Sequence, residues 1–156
     1  MIFATVGTQL PFARLLTALD GIAGRHGLTI IAQTCDPGAS FAHLQAHATI
    51  APDAYDRHIR QADMIVGHAG IGTILSAGRA GKPLVLLPRR ASMNEHRNEH
   101  QLATAASLGQ RQGIHVARDE AHLEALMTES DLAPFYLGEG ATSGQLVQYL
   151  KDYIAA

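Results

Sequence analysis

The sequence predicts an α/β fold, a Rossmann-like parallel sheet with helices on both faces. Two observations carry this prediction. Short apolar runs rich in β-branched residues alternate along the chain with stretches whose apolar residues recur at helical spacing. The connections between them are short and punctuated by Gly, Pro and Asp, as βα and αβ turns are. With 156 residues and no repeat, low-complexity tract or linker-like stretch, one domain spanning residues 1–156 is expected.

Taken in order, Met1 to Val6 reads as a first buried strand closed by Gly7-Thr8. Pro11 suits the first turn of a helix, and Phe12, Leu15, Leu16 and Leu19 form its apolar face up to Gly27. Leu28 to Ala32 is a second strand, and Cys35 to Ser40, containing Asp-Pro-Gly, is a loop. Ala48 to Ile50 reads as a weak third strand, after which Asp53 caps a helix to Gln61. Met64 to Val66 is the next strand, followed by a glycine turn and a helix from about Thr73 to Ala80, stopped by Gly81. Pro83 to Leu87 is a strand and Pro88 to Asn94 a loop, and a long helix covers Glu95 to Leu108. Gln112 to Val116, Glu120 to Thr128 and Ser143 to Ile154 complete the pattern as strand, helix and terminal helix.

Composition narrows the function classes. A net charge of -2 gives no electrostatic footprint for nucleic acid. The single cysteine, Cys35, cannot form an internal disulfide and fits a reducing, cytoplasmic compartment. No signal-peptide pattern opens the sequence, and no apolar run approaches a bilayer span. Membrane attachment would therefore come through another chain.

The turn Gly67-His68-Ala69-Gly70-Ile71-Gly72 follows a strand and opens a helix. Ligands in open parallel sheets sit beyond the carboxyl ends of strands. Gly70 and Gly72 lack a Cβ and let a ligand approach the backbone. The helix behind them offers free N–H groups and partial positive charge to a phosphate or diphosphate. Thr73 adds a hydroxyl and His68 a ring N–H. A tight strand-to-helix turn without ligand has the same glycines. Two other nucleotide motifs fail: G-x-G-x-x-G requires Gly where Leu75 stands, and Gly81-Lys82 lacks the following Ser/Thr of a phosphate loop.

Asn94 to Gln101 is the densest polar stretch. On a helix, Asn94, Asn98 and Gln101 share a stripe, as do His96 and His100, suited to the hydroxyls of a ribose or hexose. A solvated first turn reads the same way. His96-Arg97-Asn98-Glu99-His100 also matches H-x-x-E-H, the inverted zinc-peptidase pattern, with Glu124, Glu129 or Glu139 as candidate third ligand.

Together, Val6-Gly7-Thr8, His68-Ala69-Gly70-Ile71-Gly72-Thr73, Gly81-Lys82-Pro83-Leu84 and Glu95 to Gln101 resemble, in that order, the C-terminal domain of glycosyltransferase family 28. The likeness reaches from the N-terminus to about Gln110 and is closest to short stand-alone forms that pair with a membrane-bound subunit in bacterial exopolysaccharide assembly. These are related to the eukaryotic dolichol-linked GlcNAc transferase pair. The resemblance implies half of a GT-B enzyme: this half binds a UDP-sugar and the partner binds a lipid-linked, polyprenyl diphosphate acceptor at the inner membrane face. It implies inversion at the anomeric carbon without a required metal or other cofactor.

By position, Gly7 and Thr8 would face the cleft, and His68, Gly70, Gly72 and Thr73 would surround the diphosphate. Glu95, His96, Asn98, His100 and Gln101 would contact sugar or ribose. Ser76 stands where many relatives carry a ribose-binding Glu, so a bidentate ribose contact is not expected there. Arg89 and Arg90 could pair with a uronic acid carboxylate, making UDP-glucuronate the donor; they could equally hold the partner or the membrane, or be solvated. No general base is assignable, with His68 and His96 as fallbacks. A non-catalytic UDP-sugar-binding or partner-stabilising module remains the alternative to an enzyme.

Overall fold

The computed structural model describes residues 1–138 and, beyond them, only positions 144, 147, 148 and 151. The expected helix over Ser143 to Ile154 lies, apart from those positions, outside the described residues.

Among the described residues, six strands form one sheet: β1 (Ile2–Thr5), β2 (Ile30–Gln33), β3 (Leu44–His47), β4 (Met64–Gly67), β5 (Leu84–Leu86) and β6 (Ile114–Val116). Their order is β3-β2-β1-β4-β5-β6, and each neighbouring pair is parallel. Alternate residues of the central strands enter opposite layers. Ile2, Ala4, Val66 and Val85 pack with Leu15, Leu16, Leu19 and Ile22 of α1 (Ala13–His26) and Leu123 and Met127 of α5 (Glu120–Met127). Phe3, Ile65, Leu84 and Leu86 pack on the other face with α2 (Pro52–Gln61), α3 (Ile71–Ala80) and α4 (His100–Leu108). The sheet is buried on both faces, which is why its central strands are apolar throughout.

Helix ends follow local chemistry. Gly27 and Gly81 close α1 and α3 in the left-handed conformation that glycine adopts without strain. After α5, residues Phe135 and Leu137 run back beneath α3, donating N–H bonds to the carbonyls of Lys82 (3.1 Å) and Gly78 (3.1 Å). Gly78 and Gly113 make room for this segment: a Cβ at Gly78 would crowd the Phe135 ring, and one at Gly113 the backbone of Pro134 and Phe135.

Four sequence expectations are corrected. The third strand is Leu44–His47, not Ala48 to Ile50. Its start is fixed by Asp20, whose Oδ1 accepts the N–H groups of His43 (2.7 Å) and Leu44 (3.2 Å). Being an edge strand, it has buried Leu44 alternating with exposed Gln45, a weaker signal than an apolar run. Asp53 does not cap α2: Ala51 is the N-cap, Pro52 opens the helix, and Asp53 pairs with Arg57 one turn on (3.1 Å). Helix α3 starts at Ile71 rather than Thr73, so Gly72 lies inside its first turn.

The largest difference is the helix expected from Glu95. It begins only at His100, after a single 3₁₀ turn (Ala91–Met93) and bends through the Glu95–Glu99 stretch. Asn94 is left-handed (φ 57°), and the side chain of Glu95 turns inward rather than lying along a helix surface. Polar side chains here hold the loop's own backbone: Glu99 accepts from Ser92 N–H (3.1 Å) and Asn98 from His100 N–H (3.1 Å).

Candidate functional site: a cleft at the strand-order reversal

The chain leaves β1 to build β2 and β3 on one side, then returns to build β4, β5 and β6 on the other. At that reversal the loops after β1 and β4 diverge and leave a crevice at the carboxyl ends of the strands. A cleft of about 470 Å³ lies there, lined by Gly7 and Thr8 after β1 and by His68, Gly70, Gly72 and Thr73 at the start of α3. A second hollow of about 370 Å³ adjoins it, lined by Asn98, His100 and Thr104. Gln9, Gly70, Ile71, His96 and Gln101 border both. The expected site residues after β1 and β4, and much of the polar stretch, therefore do converge.

The three glycines act differently. A Cβ at Gly72 would meet nothing within 4 Å, so the first turn of α3 is open to the cleft. No side chain caps α3, whose N-cap is Gly70 in extended conformation. Its N-terminal N–H groups and dipole thus face the cleft available to an anion. A Cβ at Gly70 would overlap the His68 ring. That glycine serves the imidazole rather than a ligand. Gly7 holds φ 82° and also lies against His68, where a Cβ would come within 3.1 Å of the ring.

His68 is thereby seated between the two loops. Burial, helped by the positive charge of Arg89, opposed by a hydrogen bond with the Thr5 backbone and reinforced by nearby His96, lowers its pKa to about 4. The ring is neutral at neutral pH, and its buried Nδ1 has no hydrogen-bond partner among the described residues. Such a ring can exchange a hydrogen bond with a ligand but is a poor proton acceptor, so the fallback role of His68 as general base is not supported. His96, half-buried on the border of both hollows, accepts an N–H bond from Asn98 at Nδ1 (3.4 Å).

Three expected contacts do not reach the cleft. Glu95 is bound through both carboxylate oxygens to Arg14 (2.5 and 2.9 Å) and also accepts Arg90 N–H (2.8 Å). Burial alone would raise its pKa, but the Arg14 hydrogen bond, Arg90 N–H and the charges of Arg14 and Arg89 hold it below the usual range. Ser76 is absent from the cleft wall. Arg90 points away to the carbonyl of Arg118 (2.8 Å).

Arg89 borders the cleft, yet its guanidinium is turned into the protein, and only 2% of the residue is exposed. Its Nη atoms donate to the carbonyls of Val6 (3.0 Å), Leu10 (2.6 Å), Pro11 (2.7 Å) and Glu95 (3.3 Å). The arginine pair therefore does not present a fork to a uronate. The zinc pattern loses its basis too, because residues 96–99 are not helical and His96 and His100 do not sit on successive turns.

Gln33 and Tyr55 are among the cleft residues that sequence reasoning missed. Gln33 closes β2, donates Nε2–H to the Gly7 carbonyl (3.0 Å) and accepts Ile50 N–H (3.1 Å), tying the loops after β1 and β3 together. A buried polar residue ending an otherwise apolar strand is the signal that could have revealed it. Tyr55 comes from α2; burial raises its phenol pKa against hydrogen bonds with Thr5, Ser76 and Thr73. Nothing in the periodicity of α2 marks it.

The fold is shared with known proteins. The NMR structure of ALG13 superposes with a TM-score of 0.67 at 16% identity, covering 99% of this chain and 96% of that one. The calicheamicin glycosyltransferase CalG4 superposes at 0.59 with 17% identity, covering 99% of this chain and 38% of that one. The glycosyltransferase VinC in complex with DTDP gives 0.53 at 16% identity, with 99% and 37% covered. This chain thus corresponds to well under half the length of the latter two enzymes and to nearly all of ALG13. No curated protein sequence matches it. The model of the glycosyltransferase family 28 C-terminal domain matches residues 27–132, most of the chain, including the loop after β4 and the segment before α4, and the chain belongs to that family.

Proposed function

We propose that this chain is the donor-binding part of an inverting glycosyltransferase, taking a UDP-sugar with its diphosphate against the N-terminus of α3. The observation that carries this reading is the open first turn at Gly72, uncapped and facing a cleft at the strand-order reversal. Thr73 and neutral His68 add side-chain groups to the same spot. Anion stabilisation there acts on charge that develops as the diphosphate leaves, which is where preorganised donors accelerate transfer. The nucleoside would lie toward Gln33, Ile50 and Tyr55, and the sugar toward Asn98, His100 and Gln101 in the adjoining hollow.

Family membership and the full-length match to ALG13 support a shared active site, with a membrane-bound partner supplying the lipid-linked acceptor in exopolysaccharide assembly. No helix among the described residues is long and apolar enough to cross a membrane. The partner, or His96, would supply the general base. The donor sugar stays open: a glucuronyl donor, expected from Arg89 and Arg90, loses its support now that both guanidinium groups bond to backbone carbonyls.

Calorimetric titration with UDP in the presence of EDTA tests the reading. Saturable binding is expected. No heat at millimolar UDP, from protein folded by circular dichroism, would sink it.

A further inference from the structure

The buried guanidinium of Arg89 has no place in the donor contacts just described, yet it is the most heavily engaged side chain beside the cleft. Three of its carbonyl partners, Val6, Leu10 and Pro11, belong to the β1–α1 loop; the fourth, Glu95, opens the stretch leading into α4. Its own backbone N–H donates to Gln101 Oε1 at 2.9 Å. The guanidinium also lies 4.7 Å above the Phe12 ring, whose residue is buried at the start of α1. These two segments are the walls of the cleft, carrying Gly7 to Leu10 on one side and His96 and Gln101 on the other.

Neither residues 7–10 nor residues 95–99 have regular secondary structure to fix them. An irregular loop packed against the interior must find donors for its inward carbonyls, since an unpaired buried carbonyl is costly. The planar fork of arginine offers four N–H groups from its two terminal nitrogens, enough for all four carbonyls at once. A lysine has three donors on a single atom and cannot span them. Burial disfavours the charge of Arg89, and the carboxylate of Glu95, itself held by Arg14, partly offsets this.

We propose that Arg89 is a positioning residue: one buried guanidinium clasps the β1–α1 loop to the segment before α4, so that the two walls of the nucleotide cleft are set as a unit. The effect on nucleotide rests on the UDP-sugar reading above; the clasp itself does not. Losing it frees both walls together and misplaces Gly7, Thr8, His96 and Gln101 relative to the α3 N-terminus. His68, between the walls, also feels the charge of Arg89 together with His96 and the Thr5 backbone. That separates charge from fork geometry.

The experiment compares wild type, Arg89→Met and Arg89→Lys by amide hydrogen exchange, by NMR titration of His68 and by UDP calorimetry. Both variants are expected to show faster exchange in 7–10 and 95–101 together, and UDP affinity weaker by roughly tenfold or more. The pKa of His68 should rise in both variants as its burial loosens, and further in Arg89→Met, which removes the charge as well as the fork; an equal rise in the two would leave the charge of Arg89 without a part. If Arg89→Met fails to fold, Arg89→Lys carries the comparison. Exchange rising in one wall or neither, or UDP affinity unchanged while both loosen, overturns the proposal. Coupled loosening in a protein whose wild type binds no UDP leaves the clasp standing and removes the nucleotide reading instead.

Discussion

At the scale of single residues, neighbouring glycines make opposite predictions. Gly72 faces open space, so Gly72→Val should fold with a near wild-type melting temperature while UDP binding is abolished, because the side chain enters the diphosphate's place. Gly70→Ala drives a methyl into the imidazole of His68 and should destabilise by about 1–3 kcal/mol, as overpacking does. Thermal melts and calorimetry on the two variants separate them; equal melting temperatures would contradict the assignment. Glu95 gives a second test. Removing one partner of a largely buried ion pair costs about 3–5 kcal/mol, so Glu95→Ala should unfold at markedly lower denaturant concentration. Because the folded-state pKa of Glu95 is depressed, its contribution is complete above the ordinary glutamate range. It disappears as pH falls through the depressed value. Glu95→Gln should accordingly flatten that part of the acid-stability curve, and an unchanged slope would show that other carboxylates set it.

At the scale of elements, α5 has the one side-chain N-cap hydrogen bond found among the described helices: Asp119 Oδ1 accepts the N–H of His122 at 2.7 Å. Asp119→Ala should lower stability by about 1 kcal/mol in chemical denaturation without altering UDP affinity, the loss expected for a cap remote from the cleft. A change in affinity would mean that α5 communicates with the site. The elements also divide by how far sequence revealed them. Central strands and α1 were legible because burial on one or both sides writes itself as apolar spacing. Strand β3 was misplaced by four residues because an edge strand buries only one face and borrows its definition from Asp20, distant in sequence. The segment before α4 was read as helix since nothing local forbids it. The ion pair with Arg14 decides its shape together with the bond from nearby Arg89, and periodicity cannot report a partner some eighty positions away. The same reason explains the site: His68, Gly70, Gly72 and Thr73 sit in one contiguous motif, whereas Gln33 and Tyr55 reach it only through the fold.

For the molecule as a whole, the donor-binding role proposed above predicts a division of labour. The purified chain should bind donor yet transfer no sugar to a lipid-linked acceptor until the proposed membrane-bound partner is added; turnover by the chain alone, checked with radiolabelled donor, would overturn that. The segment through Phe135 and Leu137 carries a different consequence. It fills the hollows at Gly78 and Gly113, both in the layer that holds α2, α3 and α4 against the sheet. During synthesis that layer stays incomplete until residues well beyond the last strand have left the ribosome. Early-emerging strands wait with one side unsealed and their apolar surface exposed. The order of translation, and not only the final packing, therefore sets when this core can first close.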